Sequence, residues 1–284
     1  MEIVKTITEL LLAKKKYAYA PVLVPTMGAL HEGHLALIRR AREIAGPNGN
    51  VAVSIFVNPT QFNQASDLAN YPKSLESDIT KCQQEGVDLL FIPTTENIYT
   101  HDRSITVAES SLSNQLCGAS RPGHFDGVCT VVTKLFNIVA PIDAVFGKKD
   151  YQQLAIINRL VRDLNFQIVI HGVNTVRETD GLALSSRNSR LTNNHRESAP
   201  AIYQALSAAR SQFHEGITDS TTLLVQVRES MAILAPNAII DYLECVDAAT
   251  LKTVDLITNK TVIAIAAFFG DVRLIDNIEL VPNN

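Results

Sequence analysis

Residues 22–45 read VLVPTMGALHEGHLALIRRAREIA: a short apolar, β-branched run, a turn containing Pro25 and Gly28, then apolar residues at helical spacing. That order predicts a strand, a tight turn and an amphipathic helix. His31 and His34 fall at the first turn of the helix. Main-chain N–H groups are unpaired there and the helix dipole is positive, so the spot is a natural anion site. Two imidazoles three residues apart can face one phosphate, and Gly33 lets that phosphate come close to the backbone. Two capping histidines on a strand-to-helix turn are the plainer alternative. For one isolated histidine it would prevail, but for a pair at this spacing after a strand the functional reading leads. A metal site is the weaker option, because a third ligand at suitable spacing is not evident. The patterns GxxxxGK[ST] and GxGxxG are both absent, so this would be a different way of holding a nucleotide.

The same alternation continues along the first half. Strand-like runs occur near Val22 and at 51–57 (VAVSIFV), 88–93 (DLLFIP), 143–147 (DAVFG) and 167–173 (QIVIHGV). Between them lie the helical patterns HLALIRRAREIA, SLESDITKCQQEG, DGVCTVVTKLFNIV and YQQLAIINRLVRDLN. Parallel strands with crossover helices follow, which is a Rossmann-like, doubly wound α/β fold whose ligands gather at the carboxyl ends of the strands. After Val176 the texture changes. The loop RETDGLALSSRNSRL leads into helical stretches at about 193–214 and 220–234, then into three strand-like runs, IIDYLECV, TVIAIAAFF and VRLIDNIEL. The expectation is a domain over 1–175 and a smaller C-terminal α+β domain over 176–284, with no internal repeat.

A chain of 284 residues that is 46% hydrophobic can fill a sizeable core. Its formal charge of −4 supplies no general basic field, so nucleic acid is not an expected partner. An anionic substrate must then be met by a local cluster of positive groups. Cys82, Cys117, Cys129 and Cys245 show no CxxC spacing, which argues against a zinc knuckle or a disulfide framework and for reduced thiols. Glu2 and Glu9 interrupt the N-terminal stretch where a signal peptide needs a basic start and an unbroken apolar run. The apolar run at 262–269 is too short to span a bilayer. A cytoplasmic protein without membrane contact is expected.

PTMGALHEGH resembles the HxGH signature of the nucleotidyltransferase superfamily. Five further blocks narrow the resemblance: SIFVNPTQF at 54–62, NYPKSLESD at 70–78, SRPGHFDGVCTVVTKLFNIV at 120–139, FGKKDYQQL at 146–154 and DGLALSSRN at 180–188. In this order, over nearly the whole chain, the set resembles the pantothenate synthetase (pantoate–β-alanine ligase) family. The resemblance implies an ATP-dependent condensation of pantoate with β-alanine through pantoyl adenylate, with pyrophosphate and AMP released. It also implies magnesium and a homodimer formed through the first domain; from its position alone, the second domain is expected to act as a lid.

Residue by residue, the resemblance assigns His31, His34, Lys149, Ser185, Ser186 and Arg187 to catalysis at the phosphates. ATP contacts fall on Pro25, Thr26, Met27, Gly28, His34, Gly147, Lys149, Asp150, Val176, Leu184 and the Ser185–Arg187 loop. Gln61 and Gln153, with Asn58 and Met27, are assigned to pantoate and β-alanine, and Asp78 to magnesium. Taken alone, Lys149 would read as a solvated surface group, the serines as helix caps, the amides as turn residues and Asp78 as an exposed helix acid. Tyr71, Arg121 and His124 sit in matching blocks but are read as supporting or interface residues. Two departures stand out: Lys148 adds a charge before Lys149, and Cys117 stands where some relatives carry glutamate. A nucleotidyltransferase proper would need further cations for a second phosphate, against which the amides Asn58, Gln61 and Gln153 speak. A scaffold that has lost its chemistry would not be expected to keep the whole phosphate set.

Overall fold

The five apolar runs of the first half each become a parallel strand, and a sixth strand precedes them. In the computed structural model, which describes residues 1–63, 65–72 and 74–282, these are β1 (Glu2–Val4), β2 (Val22–Thr26), β3 (Val51–Ile55), β4 (Leu89–Phe91), β5 (Asp143–Gly147) and β6 (Val169–Val173). The sheet order is β1-β4-β3-β2-β5-β6, all neighbours parallel. Strand order reverses at β2, whose neighbours are β3 and β5, and a crevice at such a switch point is where ligands bind in open α/β sheets. The expected doubly wound sheet is therefore present.

The accompanying helices are α1 (Ile7–Lys14), α2 (Glu32–Ala45), α3 (Ala65–Ala69), α4 (Leu75–Gln84), α5 (Thr95–Ile98), α6 (Leu116–Ser120), α7 (His124–Val139) and α8 (Tyr151–Asp163). Leu37, Ile38 and Ala41 of α2 are buried against Val22, Val24, Val51 and Val53. Burial of each such aliphatic side chain contributes roughly 1.5–3 kcal/mol. That packing fixes where the first turn of α2 meets the end of β2. β1 and α1 add to the elements expected from the pattern, because three strand residues carry no readable period; Thr6 and Glu9 form a capping box that starts α1.

The later half holds α9 (Asn193–Ser198), α10 (Ala201–His214), α11 (Ser220–Leu234) and the antiparallel sheet β7 (Ile239–Asp247), β8 (Thr261–Phe269), β9 (Val272–Leu280), in the order β7-β8-β9. The single helix expected over about 193–214 is two. Pro200 lacks an N–H and caps α10 after α9 has ended. Ile202, Leu206 and Phe213 of α10 pack with Leu223 and Val227 of α11 against Ile263, Ile265, Leu274 and Ile278.

The chain forms two compact units. The first comprises Met1–Ser110, Arg121–Lys148 and Ile156–Asn174; the second comprises Ser111–Ser120, Lys149–Ala155 and the chain from Thr175 onward. Two short stretches that precede residue 175 therefore belong with the second unit. Among the described residues no helix is long and apolar enough to cross a membrane.

Candidate active site

In the first unit, β2 ends at Thr26 and the chain turns through two consecutive left-handed residues, Gly28 at φ 81° and Ala29 at φ 50°. Alanine tolerates that conformation poorly, so something must hold it. Asp78 of α4 does so. Its carboxylate accepts the main-chain N–H of Ala29 and of Leu30, each at 2.8 Å, and the hydroxyl of Ser74 at 3.1 Å. Lys81, one turn on, donates to the Leu30 carbonyl at 2.5 Å. Thr26 Oγ1 accepts from Gly28 N–H at 3.2 Å and donates to the Ser54 carbonyl at 2.8 Å. A Cβ on Gly28 would lie 3.0 Å from Ile55 and 3.1 Å from the Asp78 carboxylate. The positive φ favours glycine at this position, and a side chain there would press on Ile55 and Asp78. Pro25, Thr26 and Met27 remain half-buried at the strand end.

The turn delivers the two histidines to the start of α2. His31 is its N-cap: Nδ1 accepts from Gly33 N–H at 3.2 Å, while the His31 main-chain N–H donates to His34 Nδ1 at 3.3 Å. The ring centroids stand 4.2 Å apart. An imidazole nitrogen that accepts a main-chain N–H carries no proton, so each ring in its neutral form keeps its proton on Nε2. Capping thus uses Nδ1 of each side chain and not Nε2.

Asn58 and Gln61 stand together but differ in what they present. Asn58 is 1% exposed and fully engaged. Its Nδ2 donates to Gln61 Oε1 at 3.1 Å and to the Gly127 carbonyl at 3.0 Å; its Oδ1 accepts from Tyr99 at 2.9 Å and from Thr60 Oγ1 at 3.0 Å. Asn58 therefore orients Gln61. Gln61 Nε2 in turn reaches Met27 Sδ at 3.1 Å, joining the amide cluster to the histidine turn. The Gln61 carbonyl accepts from Arg121 at 3.2 Å and lies 2.7 Å from His124 Nδ1. Those two residues support the cluster from outside. Gly127 is what lets α7 approach, since a Cβ there would sit 2.5 Å from the Thr60 carbonyl oxygen. Tyr99, Thr60 and Gly127 are additions to the residues singled out in the sequence, where nothing local marks a residue whose partner is tens of positions away.

Gly147 closes β5 in the first unit. Lys149, Asp150 and Gln153 belong to the second. Lys149 Nζ lies 3.9 Å from the Asp150 carboxylate, and its side chain is largely covered at 20% exposure. Gln153 is half-buried in the first turn of α8. The loop after Val176 doubles back on itself: Leu184 N–H donates to the Val176 carbonyl at 3.0 Å and Glu178 N–H to the Leu182 carbonyl at 2.8 Å. Ser185 then caps a short 3-10 turn over Ser186–Arg190, its Oγ accepting from Arg187 N–H at 3.2 Å. Ser186 and Arg187 are half-buried.

Among the described residues no group of three or more His, Cys, Asp or Glu side chains is arranged to hold a metal ion. Asp78 is 1% exposed with both oxygens committed to the turn, which does not suit it as a direct magnesium ligand. Cys117 is buried, with Arg273 Nη1 at 3.7 Å.

The sequence model of the family described as pantoate-beta-alanine ligase matches residues 2–279. The chain is similar to the pantothenate synthetase of Akkermansia muciniphila, 56% identical over 262 residues, 91% of this chain and 92% of that protein. It is also similar to the solved pantothenate synthetase of Thermus thermophilus, at TM-score 0.93 and 43% identity over 99% of this chain and 100% of that one. A third similarity is to the pantoate-beta-alanine ligase of Francisella tularensis, solved complexed with beta-gamma ATP and beta-alanine, at TM-score 0.79 and 35% identity over 98% of this chain and 97% of that one. With its histidine turn at the sheet's switch point and a family match that runs almost from end to end, this chain belongs to the pantoate–β-alanine ligase family.

Proposed function

We propose that this chain condenses pantoate with β-alanine to pantothenate, driven by ATP cleavage through a pantoyl adenylate. The observation that carries the reading is the pair of imidazoles at the N-terminus of α2, in a chain matched by the ligase family over residues 2–279. The Francisella ligase was solved with ATP and β-alanine, which supports both as substrates here.

In the first step a pantoate carboxylate oxygen attacks the α-phosphorus. The new O–P bond forms as the bond to the β-phosphate oxygen breaks, and pyrophosphate departs with the electron pair. Both reactants are anions, so the protein's task is neutralisation and alignment. His31 and His34 donate from Nε2–H to phosphate oxygens beside the positive end of α2. Lys149 is assigned to the charge that grows on departing pyrophosphate, and Ser185, Ser186 and Arg187 to the remaining phosphate oxygens. Pro25, Thr26, Met27, Gly28, Gly147, Asp150, Val176 and Leu184 are assigned to the rest of ATP. Gln61 and Gln153 hold pantoate, Asn58 acting through Gln61. In the second step the β-alanine amine attacks the acyl carbon, the C–O bond to AMP breaks, and the proton lost from nitrogen goes to solvent.

Magnesium would enter with ATP as part of that substrate and supply positive charge at the triphosphate. The loop at 180–188 is read as a cover that keeps water from the adenylate until the amine arrives. Equal hydrolysis of the adenylate by a loop-deleted variant would count against that cover. A homodimer in the cytoplasm completes the proposal. Four buried free thiols suit a reducing compartment, and a solution mass near twice 31.1 kDa is the dimer's signature.

The deciding experiment is isotope exchange between pyrophosphate and ATP, with and without pantoate and with no β-alanine. Exchange that requires pantoate is expected. Folded protein that binds ATP and shows no exchange with pantoate would overturn the reading.

A further inference from the structure

Successive residues of a strand point to opposite faces, and in β9 this puts two neighbouring polar residues to separate uses. Val272, Leu274, Ile278 and Leu280 lie in the core of the second unit. Asp276 shares their parity and is 4% exposed. It accepts a two-pronged ion pair from Arg177, at 2.6 and 2.9 Å, and Arg177 also donates to the Gly181 carbonyl at 3.1 Å. The Arg177 guanidinium stacks 3.7 Å from the centroid of Tyr203. The base of the loop that carries Ser185, Ser186 and Arg187 is thereby pinned to β9.

Asn277 faces the other way and is 8% exposed. Its Nδ2 donates to the main-chain carbonyl of Lys149 at 2.9 Å, across 128 residues of sequence. Two neighbours strengthen the attachment. Tyr151 hydrogen-bonds to Glu279, two residues further along the same face of β9. Gln152 donates to the carbonyls of Leu112 and Gln115 at 2.8 and 2.7 Å. The first turn of α8 is thus held by the second unit, of which Lys149–Ala155 is a part.

We infer that Asn277 is a positioning residue for Lys149: through one hydrogen bond it fixes the backbone of the phosphate-directed lysine to β9, the strand whose Asp276 fixes the Ser185–Arg187 loop. Lys149 and that loop are then one rigid part, although 36 residues of chain separate Lys149 from Ser185. Main-chain fixation matters for a lysine in particular, because its four-carbon stem has little directional preference of its own. The inference rests on the proposed role of Lys149 at the phosphates.

The test is a double-mutant cycle on pantoate-dependent pyrophosphate–ATP exchange with Asn277→Ala, Lys149→Ala and the double variant, each checked by thermal unfolding. Asn277→Ala should lower the maximal exchange rate about tenfold or more while leaving the KM for pantoate in place. In the Lys149→Ala background it should have no further effect, the non-additivity expected of residues that act through one another. Asn277→Ser, which retains a short donor, should recover part of the rate and serves if the alanine variant does not fold. A folded Asn277→Ala with wild-type exchange, or losses that simply multiply, would overturn the inference. Should wild type show no pantoate-dependent exchange, the proposed reaction falls on its own. The tether is then read by amide hydrogen exchange over residues 148–155, which must quicken in the Asn277 variants if it exists and stay unchanged if it does not.

Discussion

Asp78 accepts the main-chain N–H of Leu30 at 2.8 Å, and with its second oxygen that of Ala29, across almost fifty residues of chain. One buried carboxylate thereby fills the concavity made by two left-handed residues and sets the direction in which His31 and His34 leave the sheet. Asp78→Asn keeps the shape and places an N–H₂ where an acceptor is needed. A stability loss of about 1–3 kcal/mol is expected in denaturant unfolding, together with slower pantoate-dependent exchange. The magnesium concentration that gives half-maximal rate should not move. A large rise in that concentration with stability unchanged would restore Asp78 as a metal ligand.

His31 caps α2 with Nδ1, and the proposed reaction gives Nε2 a second job; the two can be separated. Asparagine is a good N-cap, so His31→Asn should leave unfolding close to wild type while removing the Nε2–H donor. Pyrophosphate–ATP exchange should fall about a hundredfold, the scale of losing one oriented donor to developing charge. His31→Ala should lose the cap as well, costing about a further 1 kcal/mol of stability. Equal stability in the two variants would remove the capping role.

Gly127 has its importance in what it lacks. A methyl group there would press on the Thr60 carbonyl and displace the turn that carries Gln61. Gly127→Ala should therefore raise the KM for pantoate severalfold and cost about 1–3 kcal/mol, the range for overpacking a close contact. Unchanged pantoate affinity would mean that the turn and α7 can separate at little cost.

Burial raises the thiols of Cys82, Cys129 and Cys245 to about 12 in each case, and nearby carboxylates add to the effect at Cys82 and Cys129. Because the thiolate is the reacting form, folded protein at pH 8 should resist iodoacetamide at these three positions. Denatured protein should be alkylated at all of them. Mass spectrometry of digested samples reads the difference, and rapid labelling of any of the three in folded protein would contradict the burial.

Period and punctuation make most of the framework legible. Apolar runs of strand length alternating with amphipathic helices can bury both faces of a parallel sheet in few other ways, so the doubly wound fold follows from pattern alone. The histidine turn is legible for the same reason: strand, glycine turn and helix start occur within one stretch of chain. The break between α9 and α10 is easy to miss although Pro200 marks it, because α9 is six polar residues with no apolar period of its own to set it apart from α10. β1 is silent because three residues show no period at all.

Local pattern thus sets the elements, the order in which they follow, and the residue types brought to the end of β2. Sterics and hydrophobic period act over a few residues and can be read without a fold. Which polar group each of those residues faces is a matter of tertiary structure. Asp78 reads as an exposed helix acid or a metal ligand, and the fold buries it with both oxygens on the main chain of the turn; Asn58 reads as a binding amide, and the fold gives it a hydrogen bond to Gln61 that no local pattern announces. Asn277 carries no signal whatever, and its partner lies 128 residues away. Hydrogen-bond pairing at that separation depends on how strands and helices stack, and stacking is a property of the whole chain.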